Sequence, residues 1–135
     1  MIAFIFENLF LYEIEYMKRF FKSLHFAANG LKLSFQLGGN FKIQLALLLL
    51  SISLGLFFNI PKEEWIWIVI CSVIVLSLET INTAIELLCN RITTEKDEHI
   101  KRIKDLSAGA VLIASIGALI IGGFIFYTHI SHFLF

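Results

Sequence analysis

The chain has 135 residues, 58% of them hydrophobic, with 14 Phe, one Pro and a formal net charge of zero. A chain so apolar is not an ordinary soluble domain, and its balanced charge lacks the basic excess that nucleic-acid binding uses. A mean hydropathy of +0.82 points instead to one small unit in a membrane.

Residues 1–16, MIAFIFENLFLYEIEY, are apolar with acidic interruptions at Glu7, Glu13 and Glu15. They lack the basic start and small-residue cleavage site of a signal peptide. Two readings stand: a segment lying on the membrane surface, or a start at Met17 with an upstream extension of little functional weight.

A helix is predicted over 17–36. Met17, Phe20, Phe21, Leu24, Ala28, Leu31 and Phe35 repeat at helical spacing, as do Lys18, Lys22, His25, Asn29, Lys32 and Gln36. The two stripes lie about a quarter-turn apart, the pattern of an amphipathic surface helix, either an anchor or a wall over an active site. LGGN at 37–40 breaks this helix, because adjacent glycines are poor helix formers, and lets the chain turn into a first span.

Three segments reach the ~17–25 residues that cross a bilayer. They run over about 42–60, 64–88 and 108–128. Ten of the eleven basic residues fall on one side of these spans, and Lys62 alone sits in the link NIPKEE. By the positive-inside rule the N-terminal region and the charged 90–106 loop, NRITTEKDEHIKRIKDL, face the cytoplasm. The link and the HISHFLF tail face out, with Trp65 and Trp67 suited to the outer interface. Cys71 and Cys89 share one helical stretch roughly 27 Å apart at the helical rise, too far to bridge within a subunit. In the third span Ala110, Ala114, Ala118 and Gly122 recur every four residues, a stripe for close packing within or between subunits.

The second span carries the unusual chemistry. Glu79, Asn82, Glu86 and Asn90 are spaced 3, 4 and 4, so they share one helical face in the cytoplasmic third of the span. Ionisable groups there are costly and should face a bundle interior or a water-filled cavity. A purely structural role would pair Glu79 with Lys104 or Arg102, but four polar residues in register argue for more. Glu79 is the deeper carboxylate, flanked by Leu78, Thr80 and Ile81, and suits a general base. Glu86 lies about 10 Å nearer the cytoplasm and suits a divalent-cation ligand. A base near lipid and a metal ligand near water fit transfer of a polar group onto a lipid hydroxyl. No GxxxxGK[ST] loop or kinase Gly-rich loop is present.

ETINTAIELLCNRI, followed by IKDLSAGAVLIAS, resembles the prokaryotic diacylglycerol kinase and undecaprenol kinase family of small membrane lipid kinases. The family patterns are E-x-x-N-[ST]-A-I-E-x-x-[VC]-D and K-D-x-[AG]-[AS]-[AG]-A-V, and the likeness extends over roughly residues 19–129. The resemblance implies an all-α membrane protein: a homotrimer of three-span subunits, each with an N-terminal surface helix, in the cytoplasmic (inner) membrane of a prokaryote. It implies ATP as co-substrate, Mg2+ or another divalent cation, a membrane lipid as substrate and no nucleic-acid partner. By position Glu79 matches the catalytic base, which also contacts the lipid, and Glu86 a metal ligand beside the nucleotide. Asn82, Lys104 and Asp105 match nucleotide-binding positions, and Glu95, Lys96 and Asp97 a loop covering the nucleotide. Phe26 matches a nucleotide contact on the surface helix and Arg19 a substrate contact.

Three positions depart from the family pattern. Gly38 stands where a second metal-binding Glu is usual, Asn90 replaces the aspartate ending the long motif, and Asp97 replaces a loop histidine. Fewer charged oxygen ligands weaken divalent-metal binding, with Asn40 and Asp97 as possible substitutes. A lipid kinase is thus the expected function, with an impaired relative that binds without turnover as the alternative. A proton-coupled transporter using Glu79 would leave the Lys104–Asp105 pair unexplained.

Overall fold

The computed structural model describes the backbone of residues 2–93 and 95–134 and the side chains of residues 12–93 and 95–133. Met1, one of the two candidate starts, and the side chains of most of the 1–16 extension lie outside the described residues. Four helices follow in order: α1 (Ile2–Leu37), α2 (Phe41–Phe58), α3 (Lys62–Ile92) and α4 (Glu98–Leu134). The chain divides into two compact units, Met1–Leu33 and Ser34–Phe135.

The first unit is helical throughout its described length. The predicted 17–36 helix is there, but it continues back to Ile2 without a break at Met17. Two of its side-chain contacts span one turn: Arg19 reaches Glu15 at 3.4 Å, and the Lys22 ammonium lies 5.9 Å from the Phe26 ring centre.

The second unit is a three-helix bundle with α3 between α2 and α4. All three helices are long and apolar enough to cross a membrane. α1 ends where the Gly38 amide donates to Ser34 O at 2.9 Å, and α2 starts after Asn40. α2 ends at Asn59, whose left-handed backbone (φ 50°) turns the chain so that the Ile60 amide reaches back to Gly55 O at 3.1 Å. Pro61 then opens α3, whose first turn holds Glu63 and Glu64 and whose last turn holds Arg91, each sign matching the helix dipole.

The loop expected over 90–106 is much shorter. α3 continues to Ile92 and α4 already starts at Glu98. The reason is a helix cap. Asp97 Oδ1 accepts hydrogen bonds from the His99 amide at 2.7 Å and the Ile100 amide at 3.1 Å, so EHIKRIKDL forms the first turns of α4. These two amides, Ile100 first, hold the Asp97 carboxyl below its ordinary value.

The two ends of the bundle differ. At one end Ile60, Ile68 and Ile125 form a packed core with Leu48, Phe58, Trp65, Ile121 and Phe126. Trp65 sits so close to Gly55 that a Cβ there would fall 2.8 Å from its ring, whereas Trp67 stays exposed. Glu64 and His129 pair across α3 and α4 at 2.7 Å, with the Phe58 ring stacked on His129. The stripe on α4 faces open space where a Cβ at Gly122 would lie. Both cysteines are free, Cys89 buried and Cys71 half-buried. The opposite end carries the polar residues.

Candidate active site at the polar end of the bundle

Glu79 retains only 2% of its exposure and is the largest fully buried side chain among the described residues. The ion pair with Lys104 or Arg102 that a purely structural role would use is absent among the described residues. Instead the Gln44 amide on α2 donates from Nε2 to Glu79 Oε2 at 3.2 Å. Thr83, also buried, donates from its hydroxyl to Glu79 O at 2.9 Å, closing one turn of α3. Glu79 and Gln44 line a pocket of about 270 Å³ with Asn40, Asn82, Val111 and Ser115.

A chain of hydrogen bonds leads outward from this pocket. Asn82, 5% exposed, donates from Nδ2 to Glu86 Oε1 at 3.3 Å. Its Oδ1 accepts from the Ser107 hydroxyl on α4 at 2.6 Å. That hydroxyl also lies 2.9 Å from Lys104 O, so its single proton serves one acceptor at a time. Further along, Lys104 Nζ donates to Asn90 Oδ1 at 2.6 Å. Burial falls along the track: Glu79 and Asn82 are buried, whereas Glu86 and Asn90 are exposed. The 3–4–4 spacing therefore delivers one deep carboxylate and one accessible carboxylate on a single face.

The remaining expected site residues are less closely joined. Glu95, Lys96 and Asp97 are exposed between α3 and α4, and Asp97 is occupied as the α4 cap. Asp105 is exposed one position beyond Lys104. Arg19 and Phe26 belong to the first unit, where both side chains are exposed. Two participants escaped the sequence reading: Gln44 and Ser107. Gln44 did leave a signal, being the one polar residue between Lys42 and Ser51.

The family model for prokaryotic diacylglycerol kinase matches residues 25–126, a stretch that contains the whole polar track. The chain belongs to the prokaryotic diacylglycerol kinase family. That family makes it a lipid kinase and a membrane protein. It is 30% identical over 118 residues to a protein of Haemophilus influenzae named diacylglycerol kinase, covering 87% of this chain and all of that protein. It is 33% identical over 110 residues to a protein of Bacillus subtilis named undecaprenol kinase, covering 82% of this chain and 89% of that protein.

For a lipid kinase, the surroundings of Gly38 matter. The residue is buried, and a Cβ there would lie 2.5 Å from Ser34 O and 3.1 Å from both Thr83 Oγ1 and Phe41 Cβ. The turn therefore packs directly on α3 at Thr83, one turn from Glu79. Among the described residues no three His, Cys, Asp or Glu side chains converge as a ready-made metal site. Glu86 is the accessible carboxylate on the track. It fits an ion such as Mg2+, which commonly takes one or two protein carboxylates and draws its other ligands from phosphates and water.

Proposed function

We propose that this kinase transfers the γ-phosphoryl group of ATP to the hydroxyl of a membrane lipid, diacylglycerol or undecaprenol, at the cytoplasmic face of the inner membrane. The observation that carries this reading is the buried Glu79 carboxylate at the deep end of a polar track that opens at the helix ends. The names of the two relatives support the two lipid classes, and the excess of Lys and Arg at the helix ends nearest the track supports the cytoplasmic face.

Phosphoryl transfer asks a protein mainly for positioning and charge stabilisation. The lipid hydroxyl enters from the bilayer and gives its proton to Glu79. The polar part of ATP stays toward the cytoplasm, with Lys104 on the phosphates and Asn82 and Asp105 holding the nucleotide. Glu95, Lys96 and Asp97 cover it from the α3–α4 connector. Glu86 would hold the divalent cation, which when bound neutralises charge on the phosphate oxygens. Phe26, beside the nucleotide, and Arg19, beside the lipid, are assigned by resemblance. A homotrimer fits the apolar helix faces, such as Leu112, Ile113 and Leu119 of α4, that this chain leaves exposed. The same faces also suit lipid, so the trimer rests on the family resemblance.

A second reading is an impaired kinase that binds nucleotide or lipid without efficient turnover. Gly38 favours it, because the position where the family expects a second metal carboxylate is filled by close backbone packing. One assay separates the two. Purified protein in detergent is given MgATP with diacylglycerol or undecaprenol, and labelled phosphate on the lipid is measured. Transfer to either supports the kinase; nucleotide binding without transfer supports the impaired relative.

A further inference from the structure

Gln44 spends only half of its carboxamide. Its Nε2 donates to Glu79, while its Oε1 is buried with no hydrogen-bond partner among the described residues. A buried acceptor without a protein partner disfavours the fold. A leucine in its place would avoid that cost. The side chain lines the same pocket as Glu79, in the run IQLALLLL where every other residue is apolar.

The chemistry of the base explains both ends of the amide. Before transfer Glu79 is a carboxylate and needs a donor. A lysine or arginine would provide one, but would also neutralise the charge that makes the group a base. The neutral amide orients the carboxylate without that penalty. During transfer the lipid oxygen bonds to the γ-phosphorus, the bond from that phosphorus to the ADP oxygen breaks, and the hydroxyl proton passes to Glu79. The carboxyl is then itself a donor and needs an acceptor. A carboxamide carries both functions on one rotor.

We propose that Gln44 is the positioning residue of the base: its NH2 group aims the ionised Glu79 into the pocket, and its idle Oε1 receives the protonated carboxyl after transfer. The inference rests on Glu79 acting as the base of the lipid kinase. It does not make Gln44 a catalytic residue, since Gln44 acts through Glu79.

The test uses the full chain in detergent, with Gln44→Met, which keeps the length without polar atoms, and Gln44→His, whose neutral ring keeps one donor and one acceptor. Gln44→Met should lower kcat about tenfold or more, as misplacing a reacting group does, with KM for MgATP within about twofold. Gln44→His should recover part of kcat. Independently of turnover, the infrared carboxylate band that disappears in Glu79→Gln should shift in Gln44→Met. A kcat within about twofold of wild type, a change confined to KM, or an unmoved band overturns the proposal. If the wild-type protein transfers no phosphate, the kinase reading falls, and the infrared band still decides whether Gln44 holds Glu79. If the methionine variant fails to assemble, Gln44→His carries both readouts: a shifted band with kcat nearer wild type than Glu79→Gln supports the proposal, and an unshifted band overturns it.

Discussion

Consider replacing Gly38 by glutamate, which would supply the carboxylate that the family resemblance expects before α2. No glycine among the described residues has positive φ, so the constraint at this position is space rather than torsion. The first added atom meets Ser34 O at 2.5 Å, and reaching even 3.0 Å requires a backbone shift of about half an ångström. Thr83 is poorly placed to give way, because its hydroxyl is already bonded to Glu79 O at 2.9 Å. Overpacking of this kind costs about 1–3 kcal/mol, roughly a 5- to 150-fold change in the folding equilibrium. Gly38→Ala isolates the Cβ term, and Gly38→Glu adds the carboxylate. Both variants should melt earlier than wild type in detergent by similar amounts, and neither should reach half-maximal activity at lower Mg2+. A glutamate variant as stable as wild type, with tighter Mg2+ dependence, would refute this reasoning and show that the turn can open.

Glu79→Gln should lower kcat by about 10²–10⁴, the usual span for a lost general base, while ATP binding measured by calorimetry stays within about twofold. Its thermal midpoint should equal or exceed that of wild type, since a buried charge held by one neutral donor contributes little to folding. Asn90→Asp puts a full negative charge on Lys104 and should raise KM for ATP up to about fivefold, the limit set by an exposed ion pair; an unchanged KM would separate Lys104 from the phosphates. Asp97→Ala removes the α4 cap. Because the folded carboxyl lies below its ordinary value of 3.8, its contribution is full above that pH and is lost as pH falls through the lower folded value. The stability gap between wild type and Asp97→Ala, followed by thermal melts, should therefore be constant near neutrality and close below about pH 3.8. Gly55→Ala drives a methyl into the Trp65 ring and should destabilise the bundle by about 1–3 kcal/mol with a shifted Trp emission.

Much of this was legible in one dimension because the signals are local. Three long apolar runs announce three spans, and the 3–4–4 spacing from Glu79 to Asn90 announces one polar face. Span limits were less legible, since hydropathy marks the lipid-soluble stretch rather than the helix. EHIKRIKDL is too charged to register as a span, yet capped by Asp97 it is the start of α4. Partners across helices were not legible at all. Gln44 and Ser107 reach Glu79 and Asn82 only through the register of α2 and α4 against α3, which no spacing within one helix encodes. Gly38 shows the same limit from the other side. Its sequence reads as a missing ligand, and only packing reveals that Ser34 O and Thr83 already occupy the space.

The bundle satisfies its two inward carboxylates in opposite ways, and the difference follows from what each end must do. Glu64 is paired with His129 at 2.7 Å beneath the Phe58 ring, where a hydrogen bond ties α3 to α4. The proposed transfer does not use this pair. Glu79 could have been secured in the same way, and Lys104 is on the facing helix, but its ammonium is engaged by Asn90 instead. On the proposed reading, a cation beside Glu79 would neutralise the charge that makes it a base. On the same proposed reading, a neutral amide on Lys104 would leave its positive charge for phosphate, and a neutral amide on Glu79 would leave its negative charge for a proton. On that reading two neutral amides, Gln44 and Asn90, serve the two charges, which lie about 16 Å apart along α3 at the helical rise.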